Sequence, residues 1–107
     1  MSRDLTQLDK LEKYLKEKGY KYDRIDDDGI EMEGRHGLMH RIDQHQIIVY
    51  KDGERDWDVI CQYGSYGVEE GLLEAYGARI VRKGDSVEGW LTVDEIIKRL
   101  EEGNDTT

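Results

Sequence analysis

Three histidines fall within ten residues, His36, His40 and His45, and the chain's only cysteine, Cys61, follows downstream. Imidazole and thiolate are the ligands zinc prefers, and a tetrahedral site takes about four of them. The spacing matches no standard zinc module, and no Cys-x-x-Cys is present. On spacing alone the favoured reading of His45 and Cys61 is packing, since a free cysteine behaves in a core as a small hydrophobe. The same pair could be a nucleophile and its base, with Asp43 or Asp58 orienting the imidazole. No thiol-hydrolase signature surrounds the cysteine, and there is no P-loop or dinucleotide glycine pattern. Carboxylate pairs select nothing in so acidic a chain, so no enzyme is expected.

Two other stretches bear on binding. Tyr63-Gly64-Ser65-Tyr66-Gly67 pairs large aromatic contact area with an adaptable backbone, a composition common in protein-binding loops. Tyr63, Ser65 and Tyr66 are therefore the expected partner-binding residues, the alternative being that both rings fold back over a sheet edge. Asp26-Asp27-Asp28 could hold a hard cation, but the ligand spacing of a calcium loop is missing and a solvated turn is the expectation.

A β-hairpin must bring His45 and Cys61 together. Tyr50-Lys51-Asp52-Gly53 has the sequence of a type I turn with glycine in the left-handed position of a G1 bulge. That three-residue loop sets odd positions against odd, so His45, Ile47 and Val49 share a face with Trp57, Val59 and Cys61. Gln46, Asp56 and Asp58 then point the other way. His45 and Cys61 would stand roughly 7–8 Å apart on the diagonal. A two-residue Asp52-Gly53 loop would set Ile47 against Asp58, which the hydrophobic pattern disfavours.

The remaining elements follow from periodicity. Leu5, Leu8, Leu11 and Leu15 mark an amphipathic helix over residues 4–18, capped by Gly19. Tyr20–Ile25 and Ile30–Glu33 read as short strands paired across an Asp26–Gly29 turn, and Gly34–Gly37 breaks the pattern. Leu38–Tyr50 and the segment to about Gln62 form the hairpin. Val68–Tyr76 reads as a short helix stopped by Gly77, Ala78–Arg82 as a brief strand and Lys83–Ser86 as a turn. Thr92-Val93-Asp94-Glu95 is a capping box with Leu91 and Ile96 at the staple positions, opening a helix that buries Ile96, Ile97 and Leu100. The expected fold is α+β in the order α-β-β-β-β-α-β-α, one domain over residues 1–103 with a disordered tail at 104–107.

Composition narrows the partners. Apolar residues are 36% and charged ones 38% of the 107, with neither Phe nor Pro, seven Tyr and two Trp. The core must be economical, and the aromatics are types with polar handles suited to half-buried positions. A formal charge of −9 argues against direct nucleic-acid contact, which needs clustered Lys and Arg. It favours solubility or approach to a basic protein surface. There is no bilayer-crossing apolar run and no signal-peptide pattern, and a lone cysteine fits a reducing cytosol, so a cytoplasmic protein without membrane contact is expected.

The runs His45–Tyr50, Trp57–Cys61, Gly64–Gly67, Gly71–Glu74 and Asp85–Thr92 resemble short proteins encoded by prophages and mobile elements of gut Firmicutes. The likeness spans about Leu8 to Leu100. Small acidic proteins of such elements include anti-CRISPR inhibitors. The resemblance therefore implies an inhibitor that binds the guide-loaded type II CRISPR effector nuclease and hinders target-DNA loading. Acidic surface would be steered to the effector's basic channel. In a domain this small the resemblance also lends weight to a structural zinc at His36, His40, His45 and Cys61. The rival is a prophage accessory or regulatory module that binds another host protein without metal.

Overall fold

The leucine stripe folds as expected. In the computed structural model, which describes residues 3–81 and 87–104 but not the side chains of Met32, Arg35, His40 and Asn104, helix α1 spans Thr6–Lys18 and buries Leu8, Leu11 and Leu15 completely. Gly19 ends it at φ +78°, a conformation that costs glycine nothing. The Tyr20 N–H returns to the Leu15 carbonyl at 2.9 Å.

Five antiparallel strands follow in sequential order: β1 (Lys21–Glu33), β2 (Met39–Lys51), β3 (Glu54–Ile60), β4 (Leu73–Tyr76) and β5 (Val87–Leu91). Helix α2 (Val93–Asn104) closes the described chain. Its capping box forms as expected. The Thr92 hydroxyl accepts the Glu95 N–H at 3.2 Å, and Glu95 Oε1 accepts the Thr92 N–H at 3.2 Å. Leu91, Ile96 and Leu100 are buried. Both helices contribute to one apolar cluster with Ile47, Val49, Trp57, Val59, Leu73 and Ala75, so they cover the same face of the sheet.

The β2–β3 register keeps odd against odd, Ile47 with Val59 and Val49 with Trp57, by a route other than the expected one. Asp52 and Gly53 both have positive φ, +54° and +81°, the signature of a two-residue type I′ turn that pairs Lys51 with Glu54. Such a turn alone would put odd positions against even. A bulge restores the parity: Tyr50 faces Arg55 and Val49 faces Trp57, leaving Asp56 as the extra residue. Asp56 is not idle there, since its carboxylate pairs with Arg79.

Four expectations are corrected. Asp26–Gly29 is not a turn, and the two short strands flanking it do not pair with each other. They are one 13-residue strand, β1, that pairs with β2 along its length. The local bend signal is real, as Asp27 Oδ1 accepts the Gly29 N–H at 2.9 Å. It resolves as a bulge, with Asp28 and Gly29 together opposite Asp43. Val68–Tyr76 is not a helix. Gly71, at φ +72°, stops a single 3-10 turn over Val68–Glu70, and buried Leu73 and Ala75 then alternate with Glu74 and Tyr76 as β4. Ala78–Ile80 turns instead of extending, with the Ile80 and Val81 N–H groups both on the Gly77 carbonyl. Val87–Leu91, given no element in the sequence reading, is the fifth strand. The predicted 83–86 turn, Arg82 and residues 105–107 of the predicted tail lie outside the described residues; Asn104 is the last residue of α2.

Candidate functional site

Period-two alternation on β1 and β2 builds the first site. Residues Asp43, His45, Ile47 and Val49 project from one face of β2, and Asp26 stands directly across from His45 on β1. Ile47 and Val49 lie under the helices. Past them the same face becomes polar, with Asp26 and Asp28 on β1 beside Asp43 and His45 on β2. The bulge brings Asp28 back toward the imidazole.

His45 is 2% exposed, and three carboxylates surround it. Its Nδ1 lies 2.7 Å from Asp26 Oδ1, and its Nε2 lies 3.0 Å from Asp28 Oδ1 and 3.3 Å from Asp43 Oδ2. Two arginines hold two of these carboxylates in place. Arg24, which also pairs with Asp9 and Glu12 of α1, donates from Nε to Asp26 Oδ2 at 2.9 Å. Arg3 grips Asp43 with two bonds of 2.7 Å, and the Tyr63 N–H adds a third at 3.1 Å. Partial burial works to raise the Asp26 carboxyl, but bonds from His45 and Arg24 outweigh it and hold its pKa below the ordinary value. The bond from Arg3 lowers Asp43 likewise, against partial burial.

An ionised Asp26 can only accept, so Nδ1 carries the proton. Nε2 is then left buried without a hydrogen-bond partner, although two carboxylate oxygens stand within 3.3 Å of it. A bare lone pair there would face two anionic oxygens, a repulsion that a cation on Nε2, a proton or a metal ion, relieves. Asp28, Asp43 and His45 each offer a ligand atom within 4.8 Å of the others, a group that could hold a metal ion. A cleft of about 880 Å³, lined by Arg3, Asp28, Asp43, Tyr63 and Val68 among others, opens beside it.

Only His45 of the four sequence-nominated ligands belongs to this group. His36 is exposed in the 3-10 turn at the far end of the β1–β2 ribbon, with φ +61°. His40 is on β2 opposite Met32, its side chain outside those described. Cys61 does come back beside His45, its N–H donating to the His45 carbonyl at 3.0 Å, and both side chains are buried. Its Sγ, however, donates to the Asp4 carbonyl at 3.6 Å, and burial pushes the thiol pKa up, which makes it a poor nucleophile. Asp58 accepts from Gln46 Nε2 at 2.7 Å on the opposite face. The sequence signal for the aspartates of this group is a pair of i, i+2 motifs, Asp-x-Asp and Asp-x-His, on neighbouring strands. Reading Asp26–Gly29 as a turn hides it.

The second site is the Tyr/Gly loop. Tyr63 and Tyr66 are 58% and 55% exposed, so neither ring is folded away. Ser65 turns inward, where its hydroxyl accepts the Gln62 N–H at 2.9 Å and donates to the Gln62 carbonyl at 2.7 Å. Its role is to hold the loop. Trp90, absent from the sequence-based candidates, joins the tyrosines. It stacks on Tyr66 with ring centroids 5.3 Å apart and is 57% exposed. Gly89 and Trp90 together stand opposite Glu74 in a bulge of β5, and Trp90 adopts φ +55°, a strained value for a bulky residue. Side chains are excluded at Gly89, where a Cβ would overlap Tyr66. The loop is tied to the sheet from both sides, the Tyr66 N–H on Glu74 Oε1 at 2.9 Å and the Trp90 N–H on the Tyr66 carbonyl at 3.3 Å. A second cleft of about 610 Å³ lies against Tyr63, Tyr66 and Trp90 and shares Arg3, Tyr63, Val68 and Glu69 with the first.

No family model matches the chain, and no curated protein or solved structure matches it. Among the described residues no helix is long and apolar enough to cross a membrane.

Proposed function

We propose that this chain is a non-enzymatic protein-binding module whose docking face is the cleft walled by Tyr63, Tyr66 and Trp90. The observation that carries this reading is the Tyr66–Trp90 stack, held in solvent on a strained backbone. Ordering a bulky residue at positive φ costs on the order of 1–3 kcal/mol, and such outliers cluster at functional sites. Exposed, preorganised Tyr and Trp are also the residue types that anchor protein interfaces. The charge of −9 favours a basic partner surface. Combined with the resemblance to mobile-element proteins, these features support an inhibitor of the guide-loaded type II CRISPR effector nuclease, acting where target DNA loads and without touching nucleic acid itself.

Gel filtration with the guide-loaded effector at micromolar concentration tests the assignment. Co-elution and loss of DNA cleavage are expected, with Tyr66→Ala weakening binding roughly 10-fold or more. Separate elution of the two proteins defeats the inhibitor reading. Binding unaffected by Tyr63→Ala and Tyr66→Ala would move the interface elsewhere. A pull-down from a host lysate that recovers some other protein instead supports the accessory-module alternative.

A further inference from the structure

We infer that Asp28, Asp43 and His45 bind one divalent first-row transition cation, with Asp26 holding the imidazole in the tautomer that ligation requires. The acidic cluster alone would not carry this. The second observation is His45 Nε2, a ring nitrogen 98% shielded with its residue, lacking a hydrogen-bond partner and standing 3.0 and 3.3 Å from the Asp28 and Asp43 oxygens. Both oxygens stand within 3.3 Å of Nε2, yet neither makes a hydrogen bond with it. Ligand atoms that share an ion at about 2.0–2.2 Å stand roughly 3.0–3.5 Å from one another. The Nε2–oxygen distances, 3.0 and 3.3 Å, fall in that interval.

The surroundings fit a ligand set and not a chance cluster. Metal-bound histidines commonly give their other N–H to a carboxylate, which fixes ring orientation and raises ligand basicity. Asp26 at 2.7 Å does so here, and it is itself held by Arg24. Asp43 is oriented by Arg3 and the Tyr63 amide, so two of the three ligands have outer partners that restrict them. One nitrogen with two carboxylate oxygens suits Zn²⁺ or Mn²⁺ better than Ca²⁺ or Mg²⁺, whose sites are built of oxygen. Three protein ligands leave at least one position toward the cleft.

Occupancy would tie three parts of the chain together. Asp28 belongs to the β1 bulge, Asp43 bonds the N-terminal arm through Arg3, and the same Asp43 carboxylate takes the amide of Tyr63 at the start of the aromatic loop. The cation is thus placed to stiffen the face that Tyr63 and Tyr66 present.

Equilibrium dialysis of the chelator-stripped full chain against Zn²⁺, with metal read by elemental analysis and melting temperature in parallel, tests the inference. About one zinc per chain is expected, with a rise in melting temperature, and binding at least 10-fold weaker in Asp28→Ala. Asp28 is 83% exposed, so this variant should fold as the parent does in the presence of chelator, unlike a change at buried His45. Ca²⁺ at equal concentration should not displace the zinc. His36→Ala and Cys61→Ser should bind zinc as the parent does. No uptake by the parent at sub-millimolar zinc overturns the proposal. Uptake that survives Asp28→Ala but is lost in His36→Ala or Cys61→Ser overturns it in favour of another ligand set.

Discussion

The β1–β2 ribbon is one pair of strands with two fates. From Lys21 to Asp27 it lies beneath the helices, where Ile47 and Val49 are buried and Tyr22 packs against the core. From Ile30 to Glu33 its pairing with Met39–Ile42 is just as regular, yet Leu38 and Met39 are 63% and 59% exposed. The molecule measures 54 × 28 × 26 Å, long in one direction. Backbone hydrogen bonds are made in both halves, so they do not distinguish them; apolar cover does. A hydrogen bond contributes only about 1 kcal/mol net because water competes for it, and a two-stranded ribbon without a core is marginal. The outer half should therefore open locally at small cost while the inner half opens only with the whole protein. The change occurs at the Asp28–Gly29 bulge, beside His45.

The largest effect expected is in the covered half. Ile47 is fully buried between Arg24 on β1 and Val59 on β3. Ile47→Ala should lower stability by about 2–5 kcal/mol, read as a fall in the urea midpoint at unchanged slope. A loss below about 1 kcal/mol would mean that the helices do not close over the sheet in solution.

At the boundary the effect should be smaller and depend on pH. Arg3 holds the Asp43 carboxyl below its ordinary value, so the pair's contribution is present above the unfolded pKa of about 3.9 and is lost as pH falls through the lower native value. Arg3→Gln, measured with chelator present, should cost on the order of 1 kcal/mol near pH 7. The gap between variant and parent should shrink as pH falls toward the native pKa of Asp43. A gap independent of pH would show that Arg3 acts through packing instead of charge.

This division into halves explains what could be read in advance. Where a helix faces the sheet, the sequence carries strong patterns: the Leu8, Leu11, Leu15 stripe and the odd-numbered Ile47, Val49, Trp57, Val59 face both fold as their periodicity dictates. The capping box at Thr92 is likewise local code that tertiary contacts need only permit. Where cover is missing, the pattern fades. Asp26-Asp27-Asp28-Gly29 has turn composition, and what makes it strand instead is partnership with β2, a long-range fact. Residues 73–76 miss the helix reading for another reason: Leu73 and Ala75 are fully covered, but what makes them strand is pairing with β3 and β5, again a long-range fact. His45 was legible as a ligand candidate and as Cys61's neighbour. Asp43 was legible as a partner for the imidazole; Asp28 was not, because a bulge in a stretch of turn composition brings it there. Trp90 escaped for the same reason, since its aim is set by a bulge.

The smallest effect belongs to the outer half, and it is the sharpest test of the comparison. Leu38→Ser combined with Met39→Ser changes two large apolar residues that the fold leaves in solvent. Each should move stability by no more than about 0.5 kcal/mol, since neither loses a buried contact. Amide exchange should confirm the contrast, with Glu31 and Arg41 exchanging by local opening while Ile47 and Val59 exchange near the global rate. A cost above about 1 kcal/mol that grows with protein concentration would mean that these side chains are covered in solution by a second copy. In that event the ribbon's outer half would be half of an interface, and the difference between the two halves would lie in which molecule supplies the cover.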